Sequence, residues 1–99
     1  MKEIHYAAFR GSNLKRLFIP DSVVYIEEYA LADCENLEHV SLPKVKSLGQ
    51  GIFDGSLLDE IEFRGTCKEF ENLHNQFPDW TGGSNINLVK CKDGIVELN

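Results

Sequence analysis

The chain has 99 residues, 42% hydrophobic and 26% charged, with a formal net charge of −6. That is enough chain for one domain, which buries about 60–65% of its unfolded surface. No apolar run approaches the ~18–20 residues that span a bilayer, and the acidic balance lacks the clustered Lys and Arg that phosphate-backbone binding requires, so neither a membrane nor a direct nucleic-acid partner is expected.

The charge is unevenly spread: +2 over residues 1–22, −6 over 23–66 and −2 over 67–99. The acidic middle permits a basic protein partner or mimicry of a nucleic acid, and its plainest reading is a solvated polar face. The start, MKEIHYAAFRGSN, has Lys2 but no continuous apolar core and no small-residue cleavage site, so no signal peptide is read. With Met1 as the native start the expected location is the cytoplasm; for a segment excised from a longer protein it is the cell surface or outside the cell.

One pattern recurs in register: Ile4-xxx-Ala8-Phe9, Ile26-xxx-Ala30-Leu31 and Leu48-xxx-Ile52-Phe53, each copy 22 residues after the last. A second apolar string follows each copy: Leu14-xx-Leu17-x-Ile19, Leu37-xx-Val40-x-Leu42 and Leu58-xx-Ile61-x-Phe63. A period of about 20–29 residues with an L-xx-L-x-L core is the signature of a leucine-rich-repeat solenoid. The expected fold is therefore an α/β solenoid, mostly short strands with short helical turns, of about three repeats over residues 1–64.

The pairs Leu17/Ile19, Val40/Leu42 and Ile61/Phe63 each place two apolar side chains on one face of a strand. Pro20 and Pro43 follow the first two strands and close them, since proline cannot donate to a ladder; Arg64 takes that place in the third. Shorter extended pieces follow at Val23–Ile26 and Val45–Leu48, leading into Glu27–Asp33 and Gly49–Asp54, which are long enough for one helical or 3-10 turn. Repeat two carries one extra residue in the turn Asp33-Cys34-Glu35-Asn36, and the stretch after Pro43 is one residue shorter than that after Pro20. Stacked repeats tolerate such compensated changes within loops.

From Gly65 the pattern changes, and residues 65–99 read as a closing segment. Thr66-Cys67-Lys68-Glu69 is a capping box that predicts a short helix with Phe70 and Leu73 on one face. Residues 75–84, with Pro78 and Gly82-Gly83, read as a loop in which Phe77 and Trp80 serve as core. Asn87–Cys91 and Ile95–Leu98 flank Lys92-Asp93-Gly94 as a β-hairpin. A repeat array must cover its terminal layer, and this segment does so at one end. At the other, Met1 precedes Ile4 directly and the first repeat enters midway, which predicts self-association through that repeat, cover by a partner, or excision from a longer array.

The string L-xx-L-x-IP-xxV-xxI-xxxAF over Leu14–Leu31 resembles the BspA-type leucine-rich repeats of bacterial surface proteins. The closing residues are also similar to that family's tail: Phe63-Arg64-Gly65-Thr66, Glu69-Phe70, Trp80 and Val89-Lys90-Cys91-Lys92-Asp93-Gly94-Ile95, with Phe70 where the tail often has Trp. The resemblance covers nearly the whole chain. It implies stacked strands, adhesion or other protein binding, and no catalytic residues.

With the apolar strand residues inward, Arg16, Phe18, His39, Ser41, Glu60 and Glu62 point outward in two columns, Arg16/His39/Glu60 and Phe18/Ser41/Glu62. An outward Phe beside Arg and His is a candidate hot spot for protein binding. His39 beside Glu60 or Glu38 reads as a solvated pair on an open face, without the pocket that acid–base chemistry needs. His5 and His74 have no partner by spacing, and His74 is read as following the helix. The three cysteines, Cys34, Cys67 and Cys91, form no close pairs of the kind that hold zinc. Cys34 sits where a small semi-buried residue is expected. Free thiols are expected for all three, with a Cys67–Cys91 disulfide as the alternative. No catalytic, cofactor-binding or metal-ligating residue is assigned. The expected function is non-catalytic protein binding. The alternative is a small acidic inhibitor, encoded by a phage or other mobile element, that occupies the basic nucleic-acid site of a host enzyme.

Overall fold

A computed structural model describes residues 3–98 of the chain. In order, the elements are β1 (Glu3–Ile4), β2 (Arg16–Phe18), β3 (Tyr25–Ile26), β4 (His39–Leu42), β5 (Ser47–Leu48), β6 (Glu60–Phe63), α1 (Cys67–Gln76), a 3-10 turn (Pro78–Thr81), β7 (Leu88–Cys91) and β8 (Gly94–Glu97). They form two open sheets, ordered β1-β3-β5 and β2-β4-β6-β7-β8. Every pairing is parallel except the final β7–β8 hairpin.

The ladder read at Ile4, Ile26 and Leu48 is the register of the smaller sheet, where Ile4 pairs with Ile26 and Ile26 with Leu48. In the larger sheet Arg16 meets His39, 23 residues on, and Ser41 meets Glu62, 21 residues on. The extra residue in the turn around Cys34 thus lengthens the first interval and the shorter stretch after Pro43 shortens the second, so the smaller sheet keeps its 22-residue spacing. Between the sheets lie Ile26, Leu48, Val40, Leu42, Ile61 and Phe63, with Ala30, Leu31, Ile52 and Phe53 from the turns, all buried. A buried Leu, Ile or Phe contributes roughly 1.5–3 kcal/mol, and the repeats interlock through these side chains.

The turns differ from the expected short helices. Ala7, Tyr29 and Gly51 hold equivalent places with φ of 53°, 55° and 60°, and Gly11, Asp33 and Gly55 another with 72°, 58° and 78°. A right-handed helix cannot run through a left-handed residue, so each turn is a pair of tight bends. Its amides reach sideways to the next repeat. Ala7 N–H donates to Glu28 at 3.2 Å, Tyr29 to Gln50 at 3.1 Å, Phe9 to Ala30 at 2.9 Å and Leu31 to Ile52 at 3.0 Å. The repeats approach so closely that a Cβ on Gly49 would lie 2.4 Å from the Glu28 nitrogen, which only glycine avoids.

The closing segment carries the same ladder onward. Gly51 and Gly55 donate to the carbonyls of Asp79 and Gly83, both at 3.0 Å. The stretch read as a loop therefore contains a 3-10 turn that stands where a further repeat would bend. The Thr66 capping box forms as read: Thr66 Oγ1 accepts from the Glu69 amide at 3.2 Å, and Glu69 Oε1 accepts from the Thr66 amide at 2.9 Å. Phe70 and Leu73 are buried, and His74 lies within α1 rather than after it. Trp80 is fully buried against Phe53 and Phe70, and its indole N–H donates to His74 Nδ1 at 3.0 Å, so His74 has a partner six residues on. Phe77 is half-buried at the rim. The hairpin does more than cover the last repeat, because β7 pairs parallel with β6 and extends the larger sheet. Among the described residues no helix is long and apolar enough to cross a membrane.

Cys34 is buried, and its thiol donates to the Phe9 carbonyl at 3.1 Å; burial pushes its pKa up, with lesser opposing hydrogen bonds from the Ser12 and Gly11 backbone. Cys67 and Cys91 are half-buried free thiols.

Candidate functional site

The parallel register of the larger sheet decides which side chains share its outer face. Arg16 sits beside His39, Phe18 beside Ser41, and Ser41 beside Glu62; Glu60 continues the line of His39 by the same register. Between them Val40 and Ile61 point inward and are buried. The structure thus brings all six residues singled out in the sequence to one face. They line a groove of about 270 Å³ together with Glu38 and Lys90.

Phe18 is the most exposed apolar side chain of this face, with 66% of its surface exposed, and Ile95 follows in the same line beyond Lys90. One side of its ring is covered by the Arg64 guanidinium, whose central carbon lies 4.0 Å from the ring centroid, a cation–π contact worth about 0.5–1 kcal/mol at such a site. Arg64 also ties the repeats together. Its Nη1 donates to the Ser41 carbonyl at 3.1 Å and to Ser41 Oγ at 2.7 Å, and its Nη2 donates to the Ile19 carbonyl and to Asp21 Oδ1, the latter at 2.9 Å. The reason lies in the prolines. Arg64 N–H donates to the Leu42 carbonyl at 2.9 Å. One repeat earlier the equivalent donor would be residue 43, a proline with no N–H. The Ile19 carbonyl left without that donor is satisfied by the Arg64 side chain, which spans two repeats to reach it.

The rest of the face carries charges of both signs. Ser41 Oγ donates to Glu62 Oε1 at 3.0 Å, and Lys90 Nζ lies 3.7 Å from Glu60 Oε1. Among the described residues His39 makes no ion pair with Glu38 or Glu60, contrary to the expected solvated pair, and Lys90 takes the place beside Glu60 instead. An exposed aromatic ring braced by a guanidinium and ringed by mixed charges suits recognition. The open face does not enclose a substrate as general acid–base chemistry requires.

Arg64 and Lys90 were not among the candidates read from the sequence. For Arg64 a signal existed, since it occupies the place of Pro20 and Pro43 in the repeat. For Lys90 the parallel pairing of Glu62 with Lys90 is long-range, and no local pattern announces it.

Away from this face, Glu3, His5 and Glu27 bring ligand atoms within 4.8 Å of one another. His5 Nδ1 is 3.2 Å from Glu27 Oε2 and 3.6 Å from Glu3 Oε2, with the His5 side chain 73% exposed. His5 therefore has a partner in the equivalent position of the next repeat, contrary to the reading from spacing. Exposed pairs of this kind contribute about 0–1 kcal/mol, and the cluster is explained as surface pairing between neighbouring rungs. In the closing segment, hydrogen bonds from the Thr66 backbone hold the Glu69 carboxyl below its ordinary range, and the Cys67 amide does the same for Asp93.

A search of curated proteins and a search of solved structures each returned no match. The sequence family described as the BspA type leucine rich repeat region matches residues 1–91 in six copies. That span takes in the rungs at Ile4, Ile26 and Leu48 and runs on through β7, as the continuous β2-β4-β6-β7 sheet does, and the chain belongs to this family.

Proposed function

We propose that the chain is a non-catalytic protein-binding module, in which residues 1–64 stack as a short solenoid, residues 65–99 close it, and a partner docks on the outer face of the larger sheet. Leucine-rich repeats generally mediate protein–protein interaction. Phe18 serves as the anchor, with Arg16, His39, Ser41, Glu60 and Glu62 as the polar surround. The observation that carries this reading is the exposed Phe18 ring, which lines the groove and is braced on one side by Arg64. An aromatic side chain with few rotatable bonds and an Arg contact loses less conformational freedom on binding than a long aliphatic chain does. The mixed signs on this face, with Arg16, Arg64 and Lys90 among Glu38, Glu60 and Glu62, favour a protein partner over the role of an acidic decoy. We place self-association, if the isolated chain dimerises, at the β1 and β2 edges of the first repeat.

The test compares wild type with Phe18→Ala as immobilised bait, followed by titration of any captured partner against both. The expected result is an unchanged circular dichroism spectrum and at least a tenfold loss of affinity, about 1.4 kcal/mol. Full affinity in a folded variant removes the proposal. Light scattering on the purified chain reads the second point, and a monomer at high concentration removes the edge pairing.

A further inference from the structure

Two sulfur atoms in the closing segment meet across elements that are far apart in sequence. The Lys92 amide donates to the Gly65 carbonyl at 2.8 Å, and the Cys67 amide donates to Asp93 Oδ1 at 2.8 Å. The start of α1 is thereby held against the tip of the hairpin. Within the hairpin Cys91 pairs with Gly94 in antiparallel register, so Cβ directions at these two positions share one face of the ribbon, about 4.5–5.5 Å apart. The position a Cβ would take on Gly94 lies 3.5 Å from Cys67 Sγ. The Cys67 sulfur therefore rests over the face from which the Cys91 side chain projects, in the space that Gly94 leaves empty. Both thiols are free and only half-buried, and a small reagent can reach them.

We propose that Cys67 and Cys91 form a reversible disulfide that clasps the first turn of α1 to the hairpin and makes the stability of the closing segment redox-dependent. The oxidant is a small-molecule disulfide such as oxidised glutathione. The first residue of a helix ordinarily favours a thiolate, but here the Cys67 pKa is pushed up to about 12, first by its hydrogen bond with Cys91, then by burial and Asp93. One of the two protein thiols, as its thiolate, attacks one sulfur of oxidised glutathione, and the departing glutathione thiolate takes up the proton that the protein thiol released. The other protein thiol gives up its proton and attacks the protein sulfur of that mixed disulfide, and the second glutathione leaves as a thiol. Two protein thiols are oxidised and one small disulfide is reduced to two thiols. The new bond joins elements 24 positions apart, and loops of that length give a sizeable constraint on the unfolded chain.

The experiment equilibrates the full chain in reduced or oxidised glutathione, alkylates it in denaturant, maps the peptides by mass and records the melting temperature of each form. The expected oxidised form has Cys34 as its single alkylatable thiol, a linked Cys67–Cys91 peptide, and a melting temperature about 10 °C above the reduced form, with reversal by dithiothreitol. Cys67→Ser and Cys91→Ser, made separately, should each keep two alkylatable thiols and melt alike in both buffers. Three alkylatable thiols after oxidation, glutathione adducts without the linked peptide, or a disulfide only between chains would each overturn the proposal.

Discussion

The two ends of the repeat stack meet opposite conditions. At the C-terminal end, the amides of Gly51 and Gly55 find carbonyl partners in Asp79 and Gly83, β6 finds β7, and Phe53 finds Trp80. At the N-terminal end, β1 and β2 are the outer strands of their sheets, and among the described residues no backbone donor reaches the carbonyls of Tyr6, Ala8 and Arg10. Their equivalents one repeat later, Glu28, Ala30 and Ala32, all accept. Leu17 of β2 stays half-buried, whereas Val40 and Ile61 are buried. Thus, among the described residues, the same repeat chemistry is paired where residues 65–98 supply donors, acceptors and apolar cover, and is unpaired on the outer side of the first repeat.

The largest test of this contrast is Trp80→Ala. It empties a fully buried site between Phe53 and Phe70 and leaves His74 without its donor, so a loss of about 3–5 kcal/mol is expected in urea unfolding. Tyr6→Ala, on the exposed first rung, should cost under about 1 kcal/mol; equal losses would erase the distinction between the ends.

Arg64→Ala comes next, at about 2 kcal/mol, because it removes charge-assisted bonds to the Ile19 and Ser41 carbonyls. Arg64→Lys should recover only a small part, since an ammonium group cannot fork between Ser41 and Asp21. A lysine variant as stable as wild type would show that the clasp is incidental.

The turn ladder allows a paired test at one equivalent position. Gly51→Ala places a Cβ 2.6 Å from the Tyr29 ring at a φ of 60°, and about 1–2 kcal/mol of destabilisation is expected. Ala7→Gly, at φ 53° in the first repeat, relieves a left-handed alanine and should shift stability by no more than about 1 kcal/mol, upward. Thermal melts that move in the same direction for both would break the equivalence of the rungs.

The smallest effect is a pH dependence of the closing segment. The folded Glu69 carboxyl is held below its ordinary 4.5 by the Thr66 amide. Its stabilisation is therefore complete above pH 4.5 and is lost as pH falls through the lowered folded value. Melting temperature against pH should decline on that acid limb in wild type and decline less steeply in Glu69→Gln. Identical acid limbs would remove the capping carboxylate from the account.

How much of this was legible depended on whether a feature was local or periodic. The rungs at Ile4, Ile26 and Leu48 could be read because identical spacing forces identical register, and the Thr66 capping box because its four residues are contiguous. The outward columns through Phe18 and His39 followed from strand alternation. The bends at Ala7 and Tyr29 were hidden because Ala-Ala-Phe and Tyr-Ala-Leu-Ala favour helix locally; the lateral amide ladder overrides that preference, and only Gly11, Gly51 and Gly55 hinted at it. The reach of Arg64 to Ile19 spans 45 positions, and it follows from an amide that Pro43 lacks.

That reach sets a rule for lengthening the array. Arg64 meets Asp21 two rungs back, across the rung that carries Pro43. Copying the first repeat upstream leaves these three neighbours untouched. Copying the second repeat in place would instead set Lys44, the residue in Asp21's position after the proline, opposite the guanidinium. Such an insertion would trade an ion pair for a like-charge encounter, whereas duplication upstream of Asp21 keeps the pair.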